Sequence, residues 1–122
     1  MARILLVEDD SNVRLLLEHV LRGDDYDVDT AVSVNEALIL LREYAYDLVL
    51  ADGKLPDGTG MQVGDVAIAA GSKVLIITGF AFQLPKEDLL RFHYLLKPVR
   101  PAEFLQAIER MLDGSRATHA HQ

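Results

Sequence analysis

The chain has no cysteine among its 122 residues. Disulfides, thiolate metal sites and cysteine nucleophiles are therefore excluded, and the composition suits a reducing compartment. No apolar run is long enough to cross a bilayer, so no membrane association is expected. A cleavable leader has no room, because Met1-Ala2-Arg3-Ile4 runs straight into a strand-like stretch. The expected location is the cytoplasm. A basic excess is missing too: 19 Asp and Glu against 12 Lys and Arg leave a net charge of −7. Phosphate backbones are drawn to basic patches, so direct binding of nucleic acid is not expected. There is no internal repeat and no low-complexity stretch.

What the chain does have is enough apolar material for a core. Hydrophobic residues make up 50% of it, and its length is that of one ordinary domain. Residues 1–114 read as that domain and 115–122 as a short polar tail. Strand-like and helix-like segments alternate along it. Ile4 to Val7 is a short apolar run of the kind buried on both faces. Val13, Leu16, Leu17, Val20 and Leu21 then recur at helical spacing, with Ser11 or Asn12 as a cap and Gly23 at the end. A second strand covers Val28 to Ala31, and Ser33 with Glu36 forms a capping box for a helix to about Glu43. Asp47 to Ala51 is a third strand. A weak helix is expected over about Met61 to Ala70, where Gly64 lowers the helix propensity.

Lys73 to Ile77 is the fourth strand and ends at Thr78-Gly79. Pro85 opens a short helix through Phe92, and Tyr94 to Leu96 is the fifth strand. Pro101 starts a last helix with Phe104, Leu105, Ile108, Met111 and Leu112 on its buried side. This alternation predicts an α/β fold, a doubly wound five-stranded parallel sheet with helices on both faces. Ligands in such sheets bind beyond the carboxyl ends of the strands.

Those ends carry polar residues of a consistent kind. Glu8, Asp9 and Asp10 follow the first strand, Asp52 the third, Thr78 the fourth and Lys97 the fifth. A parallel sheet gathers them at one edge. Clustered carboxylates repel one another unless a cation sits among them. Every donor offered is oxygen, which selects a hard ion such as Mg²⁺. With the Lys97 ammonium and the Thr78 hydroxyl beside it, Asp52 is placed to attack a phosphoryl group and form an acyl phosphate. Each residue alone has a plainer reading. Asp52 before Gly53 is a turn former, Asp9 or Asp10 a helix cap, Thr78 a turn hydroxyl and Lys97 a solvated cation. Their joint occurrence at successive strand ends favours the chemical reading. The four histidines, His19, His93, His119 and His121, have no convincing metal-ligand spacing beyond the weak tail pair.

Four segments resemble the receiver domain of two-component response regulators: Val7-Glu8-Asp9-Asp10, Asp52 with Leu55-Pro56-Asp57-Gly58-Thr59-Gly60, Ile77-Thr78-Gly79, and Tyr94-Leu95-Leu96-Lys97-Pro98. The resemblance covers nearly the whole chain and implies the flavodoxin-like strand order 2-1-3-4-5. It implies that Asp52 is the phosphoacceptor. Asp9 is then the direct Mg²⁺ ligand, Glu8 acts largely through water, and Lys54 offers its main-chain carbonyl. Asp10 falls beyond the pair and caps the helix. Thr78 and Tyr94 are the switch residues, Lys97 pairs with the phosphoryl group, and the Lys97-Pro98 bond is cis.

The implied function is that of a single-domain response regulator in a phosphorelay. It takes its phosphoryl group from a histidine kinase or histidine phosphotransfer protein and catalyses no reaction but its own phosphorylation and dephosphorylation. Nothing after the last helix is long enough for an output module, so the signal is expected to leave by protein contact with a downstream target. A homodimer through the last helix, from Phe104 to Leu112, is a further possibility of the resemblance. Short spacings around Thr78 predict trimmed or irregular third and fourth helices. Phe80 and Phe82 read as core plugs or as an exposed docking patch.

Two other folds use similar parts. A haloacid-dehalogenase-type phosphatase needs an acid two places after its nucleophile, where Lys54 stands. A flavodoxin-like cofactor binder needs a phosphate-cradling first loop, where Glu8, Asp9 and Asp10 would repel one. A degenerate receiver that docks partners without phosphorylation is the alternative within the family.

Overall fold

A computed structural model describes residues 2–79 and 84–113 of the chain. The readings of Phe80, Phe82, His119, His121 and the tail fall outside the described residues. Chain order runs β1 (Arg3–Val7), α1 (Ser11–Gly23), β2 (Asp27–Ala31), α2 (Val34–Glu43), β3 (Leu48–Asp52), β4 (Lys54–Leu55), β5 (Gly58–Thr59), α3 (Gly60–Ala69), β6 (Lys73–Thr78), α4 (Lys86–Arg91), β7 (His93–Leu96) and α5 (Pro101–Leu112). The main sheet is parallel throughout, in the order β2-β1-β3-β6-β7. β6 and β7 are its fourth and fifth strands, so this is the expected 2-1-3-4-5 arrangement. β4 and β5 form a separate two-residue antiparallel ladder next to Asp52.

Alternate strand residues face opposite sides of a sheet. Leu5, Val7, Val49, Ala51, Val74 and Ile76 accordingly pack with Ala37 and Leu41 of α2 and Met61, Val63 and Ala67 of α3. Ile4, Leu6, Leu48, Leu50, Leu75 and Ile77 pack on the other side with Leu17 and Leu21 of α1 and Phe104, Ala107 and Ile108 of α5. Burial on both faces explains why the strands read as unbroken apolar runs.

Several local features differ from expectation. The N-cap of α1 is Asp10, as the resemblance implies, its Oδ1 accepting from the Asn12 and Val13 amides at 2.9 and 3.1 Å; the reading of Ser11 or Asn12 as the cap does not hold. A carboxylate there also meets the positive end of the helix dipole. Ser33 Oγ caps α2 through the Glu36 amide, but Glu36 Oε1 reaches back to the Val32 amide, so the box is not reciprocal. The third helix is neither weak nor irregular. Its ten residues open with a complete capping box, Thr59 Oγ1 accepting from the Gln62 amide at 3.3 Å and Gln62 Oε1 from the Thr59 amide at 2.9 Å. Gly64 is there because a Cβ would lie 2.7 Å from the ring of Phe92. The fourth helix is short, six residues, with Pro85 at its N-cap.

Helical spacing groups Leu16 with Leu17 and Leu21 of α1, yet it is 52% exposed beside the exposed Leu15. In α5 the buried positions are Phe104, Ala107 and Ile108, while Leu105 is only half-buried. Those three buried residues pack on the chain's own sheet.

At the amino ends of the strands, the Tyr46 hydroxyl donates to Asp29 Oδ2 at 2.6 Å and Arg3 Nη2 donates to the same oxygen at 2.9 Å. Burial pushes the Asp29 carboxyl up, but these two bonds outweigh it and hold the group below the ordinary aspartate range. A lowered folded pKa contributes stability that is complete above the unfolded value, about 4, and fades as pH falls through the folded value. Stability should therefore fall more steeply with acid in the wild type than in Asp29→Asn, the two standing apart above about pH 4 and converging below it. Superimposable acid curves from far-UV circular dichroism would show that the pairing adds nothing.

Candidate functional site

Four strand ends build the site. The Glu8 amide still pairs with the Ala31 carbonyl at 3.0 Å, which holds this residue in line with β1 and buries its side chain to 2% exposure. Glu8 Oε1 accepts from Lys97 Nζ at 2.9 Å and Oε2 from the Asp10 amide at 3.2 Å. Asp52, at the end of β3, accepts from Lys97 Nζ at 3.0 Å through Oδ2 and from the Lys54 amide at 3.2 Å through Oδ1. Lys97 thus bridges two carboxylates that are 89 and 45 residues away in sequence. Carboxylate oxygens of Glu8, Asp9 and Asp52 all lie within 4.8 Å of one another.

Thr78 closes β6 and is buried, and its carbonyl accepts the Lys97 amide at 2.9 Å. Its hydroxyl stands against Gly53: a Cβ on that glycine would be 3.0 Å from Thr78 Oγ1. The Lys97-Pro98 bond is cis. Lys54 is exposed on β4, and Tyr94 is 42% exposed on β7, outside the carboxylate cluster. Of the residues named from the sequence, Glu8, Asp9, Asp52 and Lys97 are brought into one cluster, with Thr78 beside it at Gly53.

The electrostatics follow from burial. Desolvation pushes the Glu8 carboxyl up, the Lys97 bond pulls it down, the Asp52 charge pushes it up again, and the net displacement is upward. Burial pushes the Lys97 ammonium down, but its bonds to Glu8 and Asp52 more than compensate, so its proton is held firmly. Three carboxylates around one ammonium leave the ionised cluster short of positive charge. The carboxylate donors are all oxygen and converge within 4.8 Å of one another, which fits a hard divalent ion.

Sequence reasoning missed two neighbours. Arg14 Nη1 donates to the carbonyls of Glu8 at 2.9 Å and Asp9 at 3.3 Å and so steadies the acidic loop from α1. Asp57 binds the start of α2 from the loop after Asp52. Asp57 lies in one of the segments that carry the resemblance, but its role, like that of Arg14, depends on which loops the fold brings together.

The family model described as response regulator receiver domain matches residues 4–109. The chain belongs to this family. Receiver domains are the phosphoacceptor signalling modules of two-component systems and work with histidine kinases and downstream effectors. The transcriptional regulatory protein ZraR of Salmonella typhimurium is 32% identical over 96% of this chain, which spans only 28% of that protein's length. A CheY-like receiver domain from Methanospirillum hungatei superposes with a TM-score of 0.85 at 28% identity, covering 97% of this chain and 98% of that one. The receiver domain of a sensor histidine kinase from Pseudomonas aeruginosa has a TM-score of 0.80 at 27% identity, covering 91% and 97%, and its structure has a magnesium ion coordinated in the active-site cleft. No described helix of this receiver domain is long and apolar enough to cross a membrane.

Proposed function

We propose that this receiver domain takes a phosphoryl group on Asp52 from the phosphohistidine of a histidine kinase or histidine phosphotransfer protein in the cytoplasm, and passes the signal on through phosphorylation-dependent protein contacts. The observation that carries this reading is the Lys97 ammonium bridging Glu8 and Asp52, with Asp9 in the same cluster. Mg²⁺, held by Asp9, Asp52 and the Lys54 carbonyl with Glu8 behind them, would neutralise charge on the transferring group.

The chain's own residues do the rest. An Asp52 carboxylate oxygen forms the new P–O bond as the P–N bond of phosphohistidine breaks, and the imidazole nitrogen keeps the electron pair. Lys97 already lies 3.0 Å from Asp52 and pairs with a phosphoryl oxygen as charge develops. The Thr78 hydroxyl, buried beside Gly53, offers the next donor. A state in which Thr78 reaches the phosphoryl group is favoured over one in which it does not, so phosphorylation shifts the population. In this reading Tyr94, 42% exposed on the strand next to β6, turns inward in that state and changes the outer surface.

A cavity of about 370 Å³, lined by Val13, Leu16, Leu17, Ile77, Pro98 and Val99, has Lys97 as its polar edge. Together with the exposed Leu15 and Leu16, it offers the phosphodonor protein an apolar foothold beside the acceptor.

The test uses acetyl phosphate, with and without Mg²⁺, followed by intact-mass measurement and peptide mapping. A Mg²⁺-dependent gain of one phosphoryl group on the peptide holding Asp52 is expected. No gain together with no Mg²⁺ binding would move the assignment to a docking module that works without phosphorylation. Lys97→Met should keep the acceptor but slow its phosphorylation by about 10²-fold, the usual cost of one aligned charge-stabilising donor. An unchanged rate would remove Lys97 from the chemistry.

A further inference from the structure

The phosphoacceptor loop is held at both ends, and its outer end is held by a residue with no part in the chemistry above. Asp52 leads directly into the β4–β5 hairpin, in which Lys54 pairs with Thr59 and Leu55 with Gly58, leaving Pro56 and Asp57 at the tip. A two-residue ladder cannot hold its own shape in water. Asp57 Oδ1 accepts from the Val34 amide at 2.8 Å and Oδ2 from the Asn35 amide at 2.9 Å. These are the first two amides of α2, which have no partner within their own helix. The third, on Glu36, goes to the local cap Ser33 at 3.1 Å. A residue 23 positions away is therefore tied to the end of α2 through both oxygens, where the helix dipole favours its charge. Side-chain packing is close at the same place: a Cβ on Gly58 would lie 3.2 Å from Val34 Cγ2.

We infer that Asp57 is a positioning residue, clamping the tip of the β4–β5 hairpin to the first turn of α2 and thereby fixing the backbone of Lys54 and Asp52 at its base. The inference rests on the reading of Asp52 as phosphoacceptor and adds a residue to it. The clamp acts through the loop: the Lys54 amide bonds the acceptor carboxylate at 3.2 Å, and the Lys54 carbonyl is the proposed main-chain metal donor. Without Asp57 the hairpin still keeps its ladder, the buried Leu55, the Thr59–Gln62 capping box and the bond from the Gly60 amide to the Gly53 carbonyl at 3.2 Å, but loses its tie to α2 through the tip.

The experiment compares Asp57→Ala, Asp57→Asn and Ser33→Ala in the full chain. Mg²⁺ alone is titrated calorimetrically, and amide hydrogen exchange is followed in the metal-free protein. Ser33→Ala removes another cap from the same helix end, so it controls for simple loss of stability. Asp57→Ala should weaken Mg²⁺ binding on the order of tenfold, the usual cost of losing a support behind metal ligands. It should also speed exchange at the Lys54 and Thr59 amides. Asp57→Asn, whose one carboxamide oxygen still accepts an amide, should recover part of both. Ser33→Ala should leave Mg²⁺ affinity and loop exchange unchanged. If Asp57→Ala and Ser33→Ala behave alike, Asp57 is a helix cap and nothing more, and the inference is overturned. If the wild type binds no Mg²⁺ and takes no phosphoryl group, the phosphoacceptor reading has failed, and the exchange rates alone decide the clamp.

Discussion

Asp52→Asn should take no phosphoryl group from acetyl phosphate while keeping the fold and most of the stability of the parent. The loss of chemistry is complete because a carboxamide has no free anionic oxygen with which to form an acyl phosphate. The fold survives for reasons visible around the side chain. Asp52 makes two hydrogen bonds, one to Lys97 Nζ and one to the Lys54 amide. Both partners are donors, so a carboxamide oxygen can serve only one of them. Against that lost bond, worth about 1 kcal/mol, stands the removal of one negative charge from a crowded cluster. The Asp52 charge pushes the Glu8 carboxyl up, so neutralising it removes one of the two influences that disfavour the buried Glu8 charge. The two effects oppose each other, and the melting transition should move little. Intact mass and thermal melting read the two halves separately. A phosphoryl gain that persists in Asp52→Asn would place the acceptor elsewhere and end the assignment.

The parts of the fold that could be read from the sequence are those set by composition over a few residues. Ile4 to Val7, Leu48 to Ala51 and Val74 to Ile77 are buried on both faces, and such strands leave unbroken apolar runs. The site was legible for a related reason. Parallel strands point their carboxyl ends the same way, so Glu8, Asp9, Asp52, Thr78 and Lys97 needed only the strand assignments to be gathered. The distances were not legible. That Lys97 bridges Glu8 and Asp52 is a fact about packing between residues far apart in the chain. The α3 helix shows how a local signal was outweighed. Thr59 and Gln62 carry the spacing of a capping box, but Gly60 and Gly64 lower helix propensity around it. The reason for Gly64 is the ring of Phe92, which arrives from 28 residues downstream. Leu16 erred the other way: helical spacing counts it with Leu17 and Leu21, but it lies at the margin of that stripe and faces outward. The role of Asp57 was invisible because its partners are amides of another helix.

Gly60→Ala should be the most damaging single-methyl change near the site. Gly60 is the first residue of α3 and is buried against the end of β3. A Cβ there would stand 2.2 Å from the carbonyl oxygen of Asp52, 2.9 Å from its carbonyl carbon and 3.2 Å from Ala51 Cβ. The nearest atoms are backbone in the centre of a sheet, so no rotamer change can make room. Either the start of α3 moves or the Asp52 peptide does. The first breaks the Gly60 amide bond to the Gly53 carbonyl and disturbs the Thr59 and Gln62 capping box. The second displaces the proposed nucleophile. Overpacking of this kind costs about 1–3 kcal/mol where side chains can yield, and more where they cannot, against a total stability of about 5–15 kcal/mol. Gly64→Ala provides the comparison. Its Cβ would meet the edge of the Phe92 ring at 2.7 Å, and that side chain can give way. Urea denaturation should therefore rank Gly60→Ala well below Gly64→Ala. The surviving folded fraction of Gly60→Ala should also be slow to take a phosphoryl group, because the same clash falls on Asp52. A Gly60→Ala protein as stable as the parent would mean that the contact between α3 and β3 is looser than the backbone geometry requires, and the rigid placement of Asp52 would lose its main support.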